Sequence, residues 1–598
     1  MTKFNLFAIL VSAILAITAT AEHSFPVYRL FQYDKLDSHN YSQIGRYGAR
    51  RTGCEGTPIY WYDVLSETAN PNATLHRKIV IIDSTDATHP LTSDLIPALV
   101  PKLNARGASG LLLLVPKNTR LFTSEQLESW VQLERQLVQS PEINCAAYIA
   151  FKEDASKIRS DLSLTVAERK GLMVASENPK IRTIVSTLHG GKSAEDPDTR
   201  GLALPTIAIV AHYDTFSLAP ALGVAADASG SSVAVLLELL RGFSKLYGAK
   251  AATPAYNLAF VLAGGAPLNY AGVRHWAEHI PVESPVEFAL CLDTITLMNP
   301  LRSDLFTSEK YYLHISKPPK DAAVARFYNA FERAAKSLGI KNFELVHKKI
   351  NVAKPEADWP HEALAMKRVL SATLSMLPTP PAGSAESLLA RSSIMDRSPA
   401  SQEKIALASR LIAEALARIV YPRAAELTSD DVTLIHDDVI GDDVSVRRMT
   451  EWSAELAKTA RPMPAASSEG SPVFDALLRT MKERCADTEV DDVTYVTSKK
   501  GARKQAAAEA KKNKKNKGKK NDVTSTFEDD EEDELISDEK DFVMKFYVTP
   551  NGFKKADLRM TVHKRAPLLW NLYVLIITVG FLAASSSFIL KKVKSKSD

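Results

Sequence analysis

Cysteine is scarce in this chain. It has four in 598 residues (Cys54, Cys145, Cys291 and Cys485), which excludes a small scaffold held together by disulfides. The paired ligand spacings of a zinc finger are absent as well. A large charge of one sign is also missing: 74 Lys and Arg against 70 Asp and Glu leave +4, too little at this length to point to nucleic acid. Long hydrophobic runs are few, and a mean hydropathy of −0.11 excludes a polytopic transporter. What is present is globular. With 45% hydrophobic and 8% aromatic residues, the chain can build several domains and is not a disordered polymer.

The two ends depart from that average. Lys3 precedes an apolar stretch over residues 4–17, and Ala19-Thr20-Ala21 supplies the small residues a signal peptidase needs. A signal peptide over 1–21 is expected, with cleavage before Glu22. Near the other end, residues 568–590 are apolar and uncharged and would reach roughly 34 Å as a helix, enough to cross a bilayer. Trp570 and Tyr573 fit one interface, and Lys591, Lys592, Lys594 and Lys596 follow the run. The expectation is a single-pass type I protein, with a span at 567–590 and a cytosolic tail at 591–598. Lys594 and Lys596 have the spacing of a dilysine retrieval address for the endoplasmic reticulum, which a receptor reads. Asn40-Tyr41-Ser42 and Asn72-Ala73-Thr74 are glycosylation sequons and agree with a lumenal chain. The four cysteines allow three full pairings, and the sequence does not choose among them.

Between the ends, apolar runs alternate with amphipathic ones. KIVIID (78–83), GLLLLV (110–115) and CAAYIAF (145–151) read as buried strands, so residues 22–175 are expected to form a small α/β lobe. Residues 176–422 repeat the pattern on a larger scale. TIAIVAHYD, YNLAFVLAGG, VEFALCLDTITL and KRVLSATLS read as strands, and the runs at 233–248, 320–339 and 401–421 read as helices. From 423 to 566 the runs DVTLIHDDVI, VTYVTS, FVMKFYVTP and ADLRMTVHK suggest a β-rich juxtamembrane domain. A charged insert at 498–541 interrupts it. Residues 499–520 hold eleven Lys or Arg and one Glu, about +10, and residues 528–541 hold ten Asp or Glu and one Lys, about −9. Such blocks bury no core and read as a solvated loop whose halves pair with each other. The lumenal topology removes the nucleic-acid reading of the basic half.

The chemistry-bearing constellation is Ala211-His212-Tyr213-Asp214, followed by Gly223-Val224-Ala225-Ala226-Asp227-Ala228-Ser229-Gly230. A strand ending in H-x-D presents an imidazole at a sheet edge, with the second carboxylate, Asp214, able to orient it. Asp227, in a small-residue turn before a helix, can reach the same point. Cys291-Leu292-Asp293 ends the next strand but one. Over about 240 residues this order and spacing resembles the co-catalytic zinc aminopeptidases of the M28 type, which include glutaminyl cyclases. The resemblance implies an M28-like α/β domain in which His212, Asp227 and Asp293 correspond to the ligands of the first metal. It also implies that adjacent glutamates should supply a general base and a ligand of the second metal. Alignment on Gly264 and Gly272 puts Ala266 and Pro267 there, and neither offers an acid or a lone pair. The family's last histidine, four residues before an aspartate that would be Asp396, is replaced by Ser392. The expectation is a pseudo-peptidase with no catalytic residue and no cofactor, a single divalent ion on His212, Asp227 and Asp293 being the secondary one.

The runs AHYD, YNLAFVLAGGAPLNYAG, FALCLDT, ARSSIMD and RLIAEALARIVY, with the dilysine-like tail, resemble the nicalin family, a relative of nicastrin. That resemblance implies a non-catalytic subunit of an endoplasmic-reticulum membrane complex beside the Sec translocon. The implied partners are a lumenal β-repeat protein of the nodal modulator kind and a small polytopic membrane protein. The implied role is insertion and assembly of multi-spanning proteins, extending to subunit assembly of receptors or channels. Two alternatives stand beside it. One is an active lumenal metallo-aminopeptidase or cyclase that recruits Glu356 or Glu362 as its acid. The other is a nicastrin-like substrate receptor for an intramembrane protease.

Overall fold

The computed structural model describes residues 21–30, 32–33, 45–46, 54–61, 74–84, 96–118, 143–166, 174–176, 180–191, 204–297, 310–380 and 394–494, with short gaps in the longer stretches. It also describes parts of a helix within 126–137 and strands at 546–548 and 559–564. The signal segment up to Thr20, Asn40, Asn72, Glu356, Ser392, the charged insert at 498–541, the apolar run at 567–590 and the tail with Lys594 and Lys596 lie outside these residues. Among the described residues, no helix is long and apolar enough to cross a membrane.

The first lobe is built on an eight-stranded sheet. Cys54–Trp61, Ile79–Asp83, Gly110–Val115 and Ala146–Phe151 run parallel at its centre. The last two of these strands are buried throughout, which is why their sequences are unbroken apolar runs with no polar alternation.

The second lobe carries another eight-stranded, mixed sheet. Its centre is four parallel strands in the spatial order Asn257–Ala263, Thr206–His212, Val286–Leu292 and Ser371–Ser375. The buried helix Ser231–Gly248 carries the chain from the second of these to the first. The chain then lays Val286–Leu292 on the other side of Thr206–His212, so the winding direction reverses there. In open α/β sheets, such a reversal leaves a crevice at the strands' carboxyl ends. Here His212 ends one bordering strand and Asp293 follows the other.

Amphipathic helices cover the sheet. In Ala322–Ser337 the buried residues Val324, Phe327, Tyr328 and Phe331 fall at three- and four-residue steps, and Asp321 caps the start by accepting the Ala323 N–H at 2.9 Å. The lobes share side chains at their junction. Leu218, Leu222, Ile394 and Met395 pack into the first lobe's core, and the buried Glu134 accepts the Ile394 N–H at 3.1 Å.

Past residue 422 the structure departs from a separate β-rich domain. Pro422–Leu427, Asp443–Lys458 and Pro472–Arg484 are helices, and DVTLIHDDVI (431–440) holds no strand. The physical reason is a carboxylate. Glu414, on the helix Gln402–Val420, accepts the N–H groups of Leu434 and Ile435 at 2.8–3.0 Å, while Arg418 donates to Val432 O at 2.7 Å. Backbone groups that a neighbouring strand would take are taken by helix side chains. The strands that do form join earlier sheets. Thr488–Thr494 adds to the edge of the second sheet beside Lys180–Leu188. Phe546–Val548 pairs with Val174–Ser176, and Arg559–Lys564 lies between Ala21–Pro26 and Leu162–Val166 in the first sheet.

Candidate functional site

Local sequence positions each group at the crevice. His212 is 7% exposed at its strand end, with its ring 5.1 Å from that of Tyr270. Tyr270 and Asn269 both take left-handed backbone angles, at φ 58° and 53°. Two such non-glycine residues cost on the order of 1 kcal/mol or more each and persist only where the surroundings over-determine them. Asn269 is held on both sides: its Oδ1 accepts the Ala357 N–H at 2.9 Å and Arg274 Nη2 at 3.3 Å.

Asp214 does not take the role that H-x-D spacing suggests. Both oxygens turn to the Gly264–Pro267 turn: Oδ2 accepts the Gly265 N–H at 2.5 Å and Oδ1 the Ala266 N–H at 3.2 Å. Burial pushes its carboxyl up to about 7, although those N–H groups and the Arg461 cation pull the other way. The turn is tight. Gly265 has φ +74°, and a Cβ on Gly264 would come within 2.8 Å of Arg182 O and 2.9 Å of Tyr213 Oη. Ala266 is half-buried and Pro267 buried at the end of this turn.

The aspartates of the next loops are occupied too. Asp227 opens an irregular helical turn, Ala226–Gly230, entered through Ala225 at φ 41°. Its Oδ1 accepts the Thr296 hydroxyl at 2.6 Å. Asp396 faces the same turn and acts as its cap: Oδ1 accepts the Asp227 N–H at 2.9 Å and Oδ2 the Ala228 N–H at 3.0 Å. Asp293 accepts the Thr294 hydroxyl at 2.8 Å, and Thr294, at φ 52°, ties this loop to Ala228 O. Glu362, the described member of the pair of alternative acids, accepts the Asp358 N–H at 2.8 Å at the start of its helix.

One residue here escaped the motif reading. Arg461 arrives from the loop after the helix Asp443–Lys458 and is fully buried behind the site. It donates to Tyr213 O (2.8 Å), Leu456 O (3.0 Å), Val224 O (2.6 Å), Ala225 O (3.3 Å) and Ser229 Oγ (2.9 Å). A planar fork with five N–H groups is the side chain that can pin several loops at once. Burial lowers its pKa to about 10, leaving it a cation at neutral pH that faces Asp396 and Asp214.

A two-zinc centre does not fit this donor set. Among the described residues, no group of three or more His, Cys, Asp or Glu is placed to hold a metal ion. Asp227 and Asp293 each spend an oxygen on a hydroxyl, and Ala266 and Pro267 bring no donor. His212, Asp227 and Asp293 border one crevice without converging as ligands. Three cysteines, Cys145, Cys291 and Cys485, are buried thiols, so four cysteines supply no intrachain disulfide.

Residues 197–337 match peptidase family M28. The chain is 28% identical over 491 residues to the BOS complex subunit NCLN of Mus musculus, covering 78% of this chain and 80% of that protein. It is 26% identical over 481 residues to nicalin of Caenorhabditis elegans, covering 74% and 77%. Among solved structures, the zinc aminopeptidase BSAP of Bacillus subtilis matches at 13% identity, over 67% of this chain and 84% of that one, with a TM-score of 0.30. The glutaminyl cyclase of Porphyromonas gingivalis matches at 14% identity, over 43% and 85%, with a TM-score of 0.28. The chain is thus similar to nicalins over about three quarters of its length, and its residues 197–337 are similar to peptidase family M28.

Proposed function

We propose that this protein is a non-catalytic subunit of an endoplasmic-reticulum membrane complex at the translocon, supporting insertion, folding and assembly of multi-spanning membrane proteins. The carrying observation is the Gly264–Pro267 turn. Where M28 enzymes place their glutamates, this chain has Ala266 and Pro267, and Asp214 is committed to that turn's own N–H groups. Hydrolysis at neutral pH needs a carboxylate placed to accept a proton from water, and neither Ala266 nor Pro267 can be one. Relatives carrying the name BOS complex subunit support the subunit half of the reading.

The topology proposed from sequence completes it. A signal peptide ending at residue 21, a span at 567–590, lumenal glycans at Asn40 and Asn72, and retrieval through Lys594 and Lys596 make a type I resident of that membrane. The strand Arg559–Lys564 lies only a few residues before the proposed span and sits inside the first sheet. On this reading the strand's membership of the first sheet supports a first lobe close to the bilayer. Partners are a lumenal β-repeat protein, a small polytopic membrane protein and the translocon. The old ligand residues His212, Asp227 and Asp293 hold no resident metal.

Turnover tests the non-catalytic half. The purified chain, assayed on aminoacyl and N-terminal glutaminyl substrates with added zinc, should match its His212→Ala variant. Hydrolysis or cyclisation that His212→Ala abolishes would overturn it.

A further inference from the structure

Away from the crevice, His275 lies in the last turn of the helix Ala271–Glu278 and His279 is the C-cap residue that follows it. Histidines four apart on a helix share one face, the arrangement by which helical His pairs chelate zinc, and the cap position keeps His279 beside His275. Their rings are adjacent, with centroids 4.2 Å apart and planes at 37°. Two imidazoles on one tetrahedral ion, each nitrogen about 2.0–2.1 Å from it, place their centroids about 5 Å apart. An opening of about 1 Å, within reach of side-chain rotation at two solvent-accessible residues, separates the two geometries.

The hydrogen bonds fix the tautomers. His275 Nδ1 meets Asp491 Oδ2 at 2.8 Å, and His279 Nδ1 meets the His275 carbonyl at 2.8 Å. A carboxylate and a carbonyl accept only, so each Nδ1 holds the proton and each neutral ring presents Nε2 as its lone-pair nitrogen. A carboxylate behind a histidine is also the support that metal-ligating imidazoles use. His279 is exposed and His275 about one-quarter exposed, so both are open to an ion from solvent.

We propose that His275 and His279 form a two-imidazole site for a borderline divalent ion of the zinc class, with Asp491 orienting His275. No third protein ligand stands in the described residues, so water or a partner's acid completes the coordination. Glu278 is paired with Lys367 and is not a base for water. The site is therefore a clamp rather than a hydrolytic centre. Asp491 lies on the edge strand Thr488–Thr494, so a bound ion ties the helix to that strand. This site is independent of the crevice and of the subunit reading.

The test is zinc chloride titrated into the chelator-stripped full-length protein in detergent, read by calorimetry and by thermal melting. The wild type should bind one equivalent that His279→Gln and His275→Gln lose. Asp491→Asn should weaken binding about 10–100-fold. Zinc should raise the melting temperature of the wild type and leave that of His279→Gln unmoved. The chain has 13 histidines, so the difference between variants is the reading. Equal zinc binding by His279→Gln and the wild type, or no saturable equivalent in the wild type, would overturn the site.

Discussion

Replacing Arg461 by Met is the most informative perturbation of the fold around the crevice. The guanidinium makes five hydrogen bonds, three of them at 2.6–2.9 Å, to loops that carry Asp214, Val224 and Ser229. Charge-assisted bonds contribute about 1.5–3 kcal/mol each, so the three short ones gross about 5–9 kcal/mol. Relief of the buried cation's desolvation offsets several kcal/mol of that loss. A net destabilisation of about 3–5 kcal/mol remains, the usual cost of breaking a buried ionic group's partners. At about 1.6 °C per kcal/mol for a cooperative unit of roughly 300 residues, the melting temperature should fall by roughly 5–8 °C. Arg461→Lys should recover little, because a single ammonium cannot serve acceptors lying in several directions. Differential scanning fluorimetry of the three proteins, checked by urea unfolding, reads the effect. A fall below about 2 °C in Arg461→Met would refute the pinning role, and full stability in Arg461→Lys would show that charge alone matters.

Three further outcomes follow from buried groups. Glu414→Ala leaves Arg418 and the N–H groups of Leu434 and Ile435 without their acceptor; it should cost about 3–5 kcal/mol and open residues 431–440 to limited proteolysis. Gly272→Ala would place a Cβ 2.4 Å from Gly264 O and 2.7 Å from Thr183 Oγ1, so urea unfolding should show a loss of about 1–3 kcal/mol. Asp214 has a folded pKa of about 7, above the ordinary carboxyl value, so the folded state holds the extra proton. Its contribution is fully present below about pH 4 and is lost as pH rises through 7. Stability measured from pH 4 to 8 should fall less steeply in Asp214→Asn than in the wild type; parallel curves would refute the assignment.

How far the sequence could be read depended on the range of the interaction. Runs such as TIAIVAH and NLAFVLA announced central strands because both faces are buried and nothing polar interrupts them. The H-x-D strand end and Asp227 were legible because strand and turn place them locally. DVTLIHDDVI misled because its alternation is the strand pattern, and only a helix twenty residues upstream supplies the competing acceptor. A signal was present there: Glu414 and Arg418 sit four apart inside an otherwise apolar helix, which marks a buried pair with further partners. Arg461 gave none. Four of its five partners lie some 230–250 positions away, and a lone arginine between Ala460 and Pro462 looks like any loop cation. Asp214 was read as a support for His212 because spacing cannot show which way a carboxylate turns; the backbone of residues 265 and 266 decides it.

The central claim, a subunit on a disarmed peptidase frame, is tested most directly by affinity purification of the tagged full-length protein from membranes in mild detergent, with the mass of the eluted particle measured. The account predicts a discrete complex holding, in stoichiometric amounts, a large lumenal partner and a small polytopic one. A monodisperse monomer under the same conditions, or co-purification with an intramembrane protease instead, would contradict it.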